Sequence, residues 1–299
     1  MSAQYLVTGA SGQLGRRVLH HLLETLMVPA GDIVAASRRP ETLKEWKDRG
    51  VTVRRVDFDE PSSLRHTFAE ARRVMLISTN SLDRPGHRLN QHQAAILAAE
   101  QAGVGHLLYT SMPDPANSPL LFAPDHEGTE AAIAASTIPA WTILRSNWYF
   151  ENVYKKAPTA LASGHWHSSA GEGRVAYIAR DDVALAAAKA LVEANEGKQT
   201  FTLTGSKTYA YRDVAALLSQ ATAKDVTVVD VPLEALVNGM ICSGLPEPIA
   251  RVFASVDTTV GVGGLSMTTD DFRHLTGRAP QSYEEWFAAS ADNLRSLVA

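Results

Sequence analysis

Gly9-Ala10-Ser11-Gly12-Gln13-Leu14-Gly15 follows the apolar run Tyr5-Leu6-Val7-Thr8, and its three glycines stand at the spacing G-x-x-G-x-x-G. In such a turn one glycine bends the chain, one lets a pyrophosphate approach the backbone, and one lets a helix close on its strand. Arg16 to Leu26 alternates apolar and polar residues at helical period, so free amides at the start of that helix would face the phosphates of a dinucleotide. On this reading Gly9, Ser11, Gly12, Gln13, Leu14 and Gly15 hold the nucleotide.

The next residues with chemical content distinguish between nucleotides. An Asp or Glu at the end of the second strand would bind a ribose 2′-hydroxyl and repel a 2′-phosphate. Here that strand ends in Ser37, followed by Arg38 and Arg39. A guanidinium fork suits a phosphate, so Arg38 is expected to favour NADP(H) over NAD(H). Asp57-Phe58, after the third strand, offers an acceptor for the adenine amino group and a ring to flank the base. Ser78-Thr79-Asn80, after the fourth, offers polar groups to the ribose and nicotinamide.

These loops need a scaffold, and the apolar runs supply one. Strands are expected at Gln4-Thr8, Ile33-Ser37, Val51-Val56, Val74-Ser78, His106-Thr110 and Trp141-Leu144, with helices between them, clearest at Leu89-Gln101 and Thr129-Ala135. That rhythm predicts an α/β fold, a Rossmann-type doubly wound parallel sheet with ligand loops at the strand C-termini. Residues 1–155 read as the dinucleotide-binding domain. Residues 156–299 read as mainly a smaller, partly discontinuous substrate lobe, with some segments, notably the helix Asp182-Glu193, returning to the main sheet. Beyond Tyr154 the only other helix drawn is Arg212-Ala221, and short strands are drawn at Phe201-Leu203 and Val226-Val229 among glycine-rich turns.

Composition narrows the function classes. The net charge of −4 gives no electrostatic case for nucleic acid or an acidic membrane, and no apolar run is long enough to span a bilayer. The single cysteine, Cys242, excludes an internal disulfide, fits a cytoplasmic location, and is expected to be packed among Met240, Ile241 and Leu245. His165-Trp166-His167 places two imidazoles on one face of a possible strand, but no Cys or acid pair is spaced nearby to complete a metal site. His87 and His92 are expected on the surface or at a pocket rim.

The fingerprint and strand order resemble the short-chain dehydrogenase/reductase superfamily, whose proton donor is a Tyr-x-x-x-Lys pair after the fifth strand. Here Phe122 and His126 stand in those places, which argues against simple ketone reduction. The chain is more similar to an atypical branch, the NmrA-like proteins, including bacterial NAD(P)H:quinone reductases and triphenylmethane-dye reductases. The likeness is carried by the glycine turn, Tyr109-Thr110-Ser111, Asp125-His126-Glu127, Leu144-Arg145-Ser146-Asn147-Trp148-Tyr149-Phe150-Glu151-Asn152, and Gly263-Gly264-Leu265. It departs at Ser146-Asn147, where those reductases tend to carry Asn-Gly.

The resemblance implies hydride transfer from NADPH straight to a quinone-like or cationic aromatic acceptor, with no dedicated acid. It implies an aromatic slot formed by Ser111, Met112, Asn147, Trp148, Tyr149 and Asn152, with His126 and Tyr149 as the catalytic candidates and His126 able to give a proton near neutral pH. Plain core roles for Trp148, Tyr149 and His126 are the alternatives. Partners are then a small aromatic or quinone acceptor and at most a second copy, as monomer or homodimer. A non-catalytic NADP-binding redox sensor acting through a protein partner is the competing function.

Overall fold

In the computed structural model, which describes residues 3–69, 71–193 and 197–298, the first half of the chain winds βα units onto one sheet. Its elements are β1 (Ala3–Val7), α1 (Gln13–His20), β2 (Ile33–Ser37), α2 (Lys44–Asp48), β3 (Thr52–Arg55), α3 (Pro61–Phe68), β4 (Ala71–Leu76), α4 (His87–Gln101), β5 (His106–Ser111), α5 (Ala123–Ala135) and β6 (Ala140–Ser146). Each expected strand is present to within a few residues. β2 is buried at every position, as a central parallel strand with helices on both faces requires.

The second half comprises α6 (Val153–Ser163), β7 (His165–Ser168), β8 (Arg174–Val175), α7 (Arg180–Val192), β9 (Lys198–Leu203), β10 (Tyr209–Ala210), α8 (Tyr211–Thr222), β11 (Thr227–Asp230), α9 (Leu233–Cys242), α10 (Glu247–Gly261), α11 (Asp271–Thr276) and α12 (Tyr283–Arg295). The main sheet is parallel in the order β3-β2-β1-β4-β5-β6-β9. Strand order therefore reverses between β1 and β4, which opens a crevice at their C-terminal ends. β9 comes from beyond residue 155 and pairs with β6, while the Ala-rich α7 packs on α1.

Outside this sheet, β7 pairs with β11, β8 pairs with β10, and the surrounding helices enclose an aromatic cluster. Phe150, in the loop after β6, stacks on Tyr283 of α12 with ring centres 4.1 Å apart, and the Tyr283 hydroxyl donates to the Phe150 carbonyl at 3.0 Å. This contact fastens the end of the chain to the edge of the main sheet.

Several expectations need correction. The first helix starts at Gln13 rather than Arg16 and ends at His20, followed by one wider turn over His21–Thr25. α6, α9, α10 and α11 are helices that the sequence pattern does not predict, and α12 extends well beyond the helix end expected near Tyr283; Pro158 lies inside α6, and prolines stand at the starts of α9 and α10, which obscures the helical period there. Cys242 is exposed at the end of α9 and not packed, since the buried side of that helix is formed by Leu236 and Val237. His92 is fully buried, not at a rim. Among the described residues, no helix is long and apolar enough to cross a membrane.

Candidate active site

Gly9 has φ +60°, a left-handed conformation that costs glycine nothing, and its carbonyl accepts from the Gly12 amide at 2.9 Å. Gly12 then caps α1 with no side chain over the helix end, leaving the amides of Gln13, Leu14 and Gly15 without intrahelical partners. A Cβ on Gly15 would lie 2.5 Å from the Gly9 carbonyl and 2.7 Å from Ala10 Cα, so this glycine is needed for packing. At Gly12 an added Cβ would meet a single atom closely, the Gly9 carbonyl oxygen at 3.2 Å, a tighter approach than an ordinary van der Waals contact but a milder one than at Gly15. The cradle fits a pyrophosphate.

Ser11 and Ser37 meet hydroxyl to hydroxyl at 2.7 Å, and the Arg39 amide donates to Ser37 Oγ at 3.1 Å, which shapes the turn after β2. Arg38 is exposed, with no hydrogen-bond or ion-pair partner among the described residues. Arg16, not singled out from sequence, ties α1 to this turn by donating to the carbonyls of Ser11 and Thr42. After β3, Asp57 accepts from the Asp59 amide and sits 3.7 Å from Arg55, while Phe58 is half-buried against the core.

The loop after β4 is held from beneath. The Ser78 amide donates to Thr110 Oγ1 at 2.9 Å and the Thr79 amide donates to His92 Nε2 at 3.0 Å; Asn80 is exposed. A backbone amide can only donate, so the ring proton of His92 lies on Nδ1, facing Thr129 Oγ1 at 2.9 Å. Burial, then the charge of Arg88, lowers the pKa of His92 to about 3, which keeps this acceptor in place.

His126 belongs to the same buried layer. Arg88 donates to its Nε2 at 2.9 Å, so the ring proton is on Nδ1 and is given to the Tyr109 hydroxyl at 2.8 Å. Burial, and then Arg88 and His92, push His126 well below the ordinary histidine range. The expectation of a proton donor titrating near neutrality is therefore corrected: His126 is a neutral strut between α4, α5 and β5.

The slot residues divide into two groups. Ser111 is buried and donates to Glu130 at 2.5 Å, where Arg145 binds the same carboxylate through two bonds of 3.0 and 2.6 Å. Met112 is buried in the aromatic cluster. Asn147, also buried, donates to the Leu265 carbonyl at 3.0 Å and accepts from the Trp148 amide at 2.7 Å. Tyr149 is half-buried beneath Arg180, whose guanidinium lies 4.9 Å from the ring centre, and burial raises the phenol pKa. Only Trp148 and Asn152 line a large cavity, of about 880 Å³, between the loop after β6 and helices α6, α9 and α10.

The rest of the cavity wall was not legible as a site. It includes Lys155, Lys156, Trp166, Tyr177, Tyr211, Phe253, Asp257 and Tyr283, drawn from segments far apart in the chain. His165 and His167 do share one exposed face of β7, with rings 6.2 Å apart, and both border this cavity. Asp257 is 1 % exposed and fully engaged: Lys156 and the Tyr211 hydroxyl reach one oxygen, Ser168 and the Ser169 amide the other.

Comparison with known proteins places this geometry. The NmrA-like family pattern matches residues 1–286. The chain belongs to the NmrA-like family. Quinone oxidoreductase 2 of Escherichia coli is 34 % identical over 279 residues, covering 93 % of this chain and 96 % of that protein. The NADPH-dependent quinone oxidoreductase from Escherichia coli complexed with NADPH superposes with a TM-score of 0.89 at 33 % identity, over 97 % of this chain and 99 % of that one. The triphenylmethane reductase of Citrobacter sp. complexed with NADP(H) gives 0.88 at 33 % identity, over 96 % and 100 %. This NmrA-like chain therefore shares its fold end to end with two nicotinamide-nucleotide reductases.

Proposed function

We propose that this protein is an NADPH-dependent reductase that passes a hydride directly to a quinone-like or similarly delocalised aromatic acceptor. The observation that carries the reading is the aromatic cavity bordered by Trp148 and Asn152 in the loop after β6, at the edge of a sheet whose first turn is a nucleotide cradle. NADPH, when bound, supplies the hydride. Gly9 to Gly15 would hold its pyrophosphate, the loop Ser78-Thr79-Asn80 would border its ribose and nicotinamide, and Arg38 would meet the 2′-phosphate.

Phe122 offers no hydroxyl, and His126 is fixed in its neutral form by Arg88 and Tyr109, so neither takes the part of a Tyr-x-x-x-Lys proton donor. A quinone does not need one. Two electrons and one proton arrive as hydride, the negative charge spreads over the reduced ring, and water supplies the second proton. The protein's part is to orient the acceptor and exclude solvent between aromatic walls.

The test is anaerobic stopped-flow absorbance of the reduced nicotinamide, with purified protein, NADPH or NADH, a simple benzoquinone or naphthoquinone, and a protein-free blank. Oxidation well above the blank, with NADPH preferred, is the expected result. Tight NADPH binding without oxidation by any quinone or dye would overturn the proposal in favour of a redox sensor.

A further inference from the structure

The cavity carries an unbalanced charge. The protein as a whole is net negative at −4, yet, apart from three tyrosines, the ionisable groups lining this cavity are Lys155, Lys156, His165, His167 and one carboxylate, Asp257. Asp257 is neutralised by Lys156 at 3.3 Å, and its remaining lone pairs are taken by Tyr211, Ser168 and the Ser169 amide. Lys155 has no such partner: it forms no ion pair among the described residues, and its ammonium lies 5.0 Å from the centre of the Phe253 ring, which also lines the cavity.

From this geometry we infer that the cavity selects aromatic acceptors bearing an anionic substituent, a sulfonate or carboxylate that pairs with Lys155, over neutral or cationic ones. Lys155 is exposed to solvent, and the groups crowding its ammonium, then the nearby charge of Arg180, lower its pKa, which is the direction expected of a cation lacking a counter-ion. An anion at this position gains a charge-assisted hydrogen bond while its ring packs among Trp148, Trp166, Tyr177 and Phe253. A cationic dye in the same cavity meets Lys155 and finds its only carboxylate already occupied.

The inference rests on the cavity being the acceptor site, and the experiment separates the two. Wild type and Lys155→Met are titrated with anilinonaphthalene sulfonate and with N-phenylnaphthylamine, the same ring system without the charge. Lys155→Met should lower the ratio of the two affinities about tenfold, the size of one charge-assisted hydrogen bond, and Lys155→Arg should restore it. The same double comparison is then made on KM for a naphthoquinone sulfonate and the unsubstituted naphthoquinone. A ratio that Lys155→Met leaves unchanged overturns the charge selection, whatever the turnover. If the binding ratio shifts but neither quinone is reduced, the anion-selective cavity stands and the reductase reading falls.

Discussion

At the scale of single residues, what decides behaviour is which groups are already satisfied. Arg38 has no partner among the described residues, so Arg38→Ala should raise the Kd for NADPH by about tenfold or more while barely moving that for NADH, in a fluorescence titration of both. Equal losses would remove the 2′-phosphate role. His92 and His126 are the opposite case, fully committed as neutral rings. The pKa of His92 falls from an ordinary 6.5 to about 3, so between those values the unfolded chain holds a proton that the folded one does not. Stability contributed by the neutral ring is present above pH 6.5 and is lost as pH falls toward 3, by up to about 1.4 kcal/mol per pH unit. Urea midpoints measured at successive pH values should begin to fall just below 6.5, and His92→Gln should flatten the slope. Neither histidine could have been placed from the sequence: His92 takes its role from the amide of Thr79, and His126 from an arginine on another helix.

At the scale of elements, the glycine turn was legible because its spacing is dictated by two close approaches, one to a ligand and one to its own strand. The two are separable. Gly12→Val presses only on the Gly9 carbonyl, at 3.2 Å, so the fold should survive with a small loss of stability while nucleotide binding disappears. Gly15→Ala instead meets the Gly9 carbonyl and Ala10, and should destabilise the protein by about 1–3 kcal/mol even without nucleotide. Thermal melts set beside nucleotide titrations distinguish them, and a Gly12→Val protein that still binds NADPH would refute the cradle. The first six strands were likewise legible: the buried ones read as short apolar runs, and β3, half-exposed at the edge of the sheet, is marked by Val51, Val53 and Val56. α9 and α10 were not: each begins at a proline and ends among glycines, and what defines them is the surface they cover.

At the scale of the whole molecule, chain order and spatial order part company. β9 completes the sheet beside β6, and α7 covers α1, although both follow residue 155. A fragment of residues 1–155 would therefore expose the edge of β6 and the apolar face of α1, and should aggregate where the full chain stays monodisperse by size-exclusion chromatography. The cavity is equally non-local. No spacing in the sequence links Trp148 to Phe253 or Tyr283, and their meeting depends on α12 being fastened to Phe150.

The exposed thiol at the end of α9 has a practical consequence. Cys242 is the single cysteine of the chain, and its neighbours Met240 and Ser243 border the cavity. A thiol-reactive fluorophore would label the native protein at one defined point behind that wall, with no residue replaced. Its emission would then follow filling and emptying of the cavity in real time, independently of the nicotinamide signal.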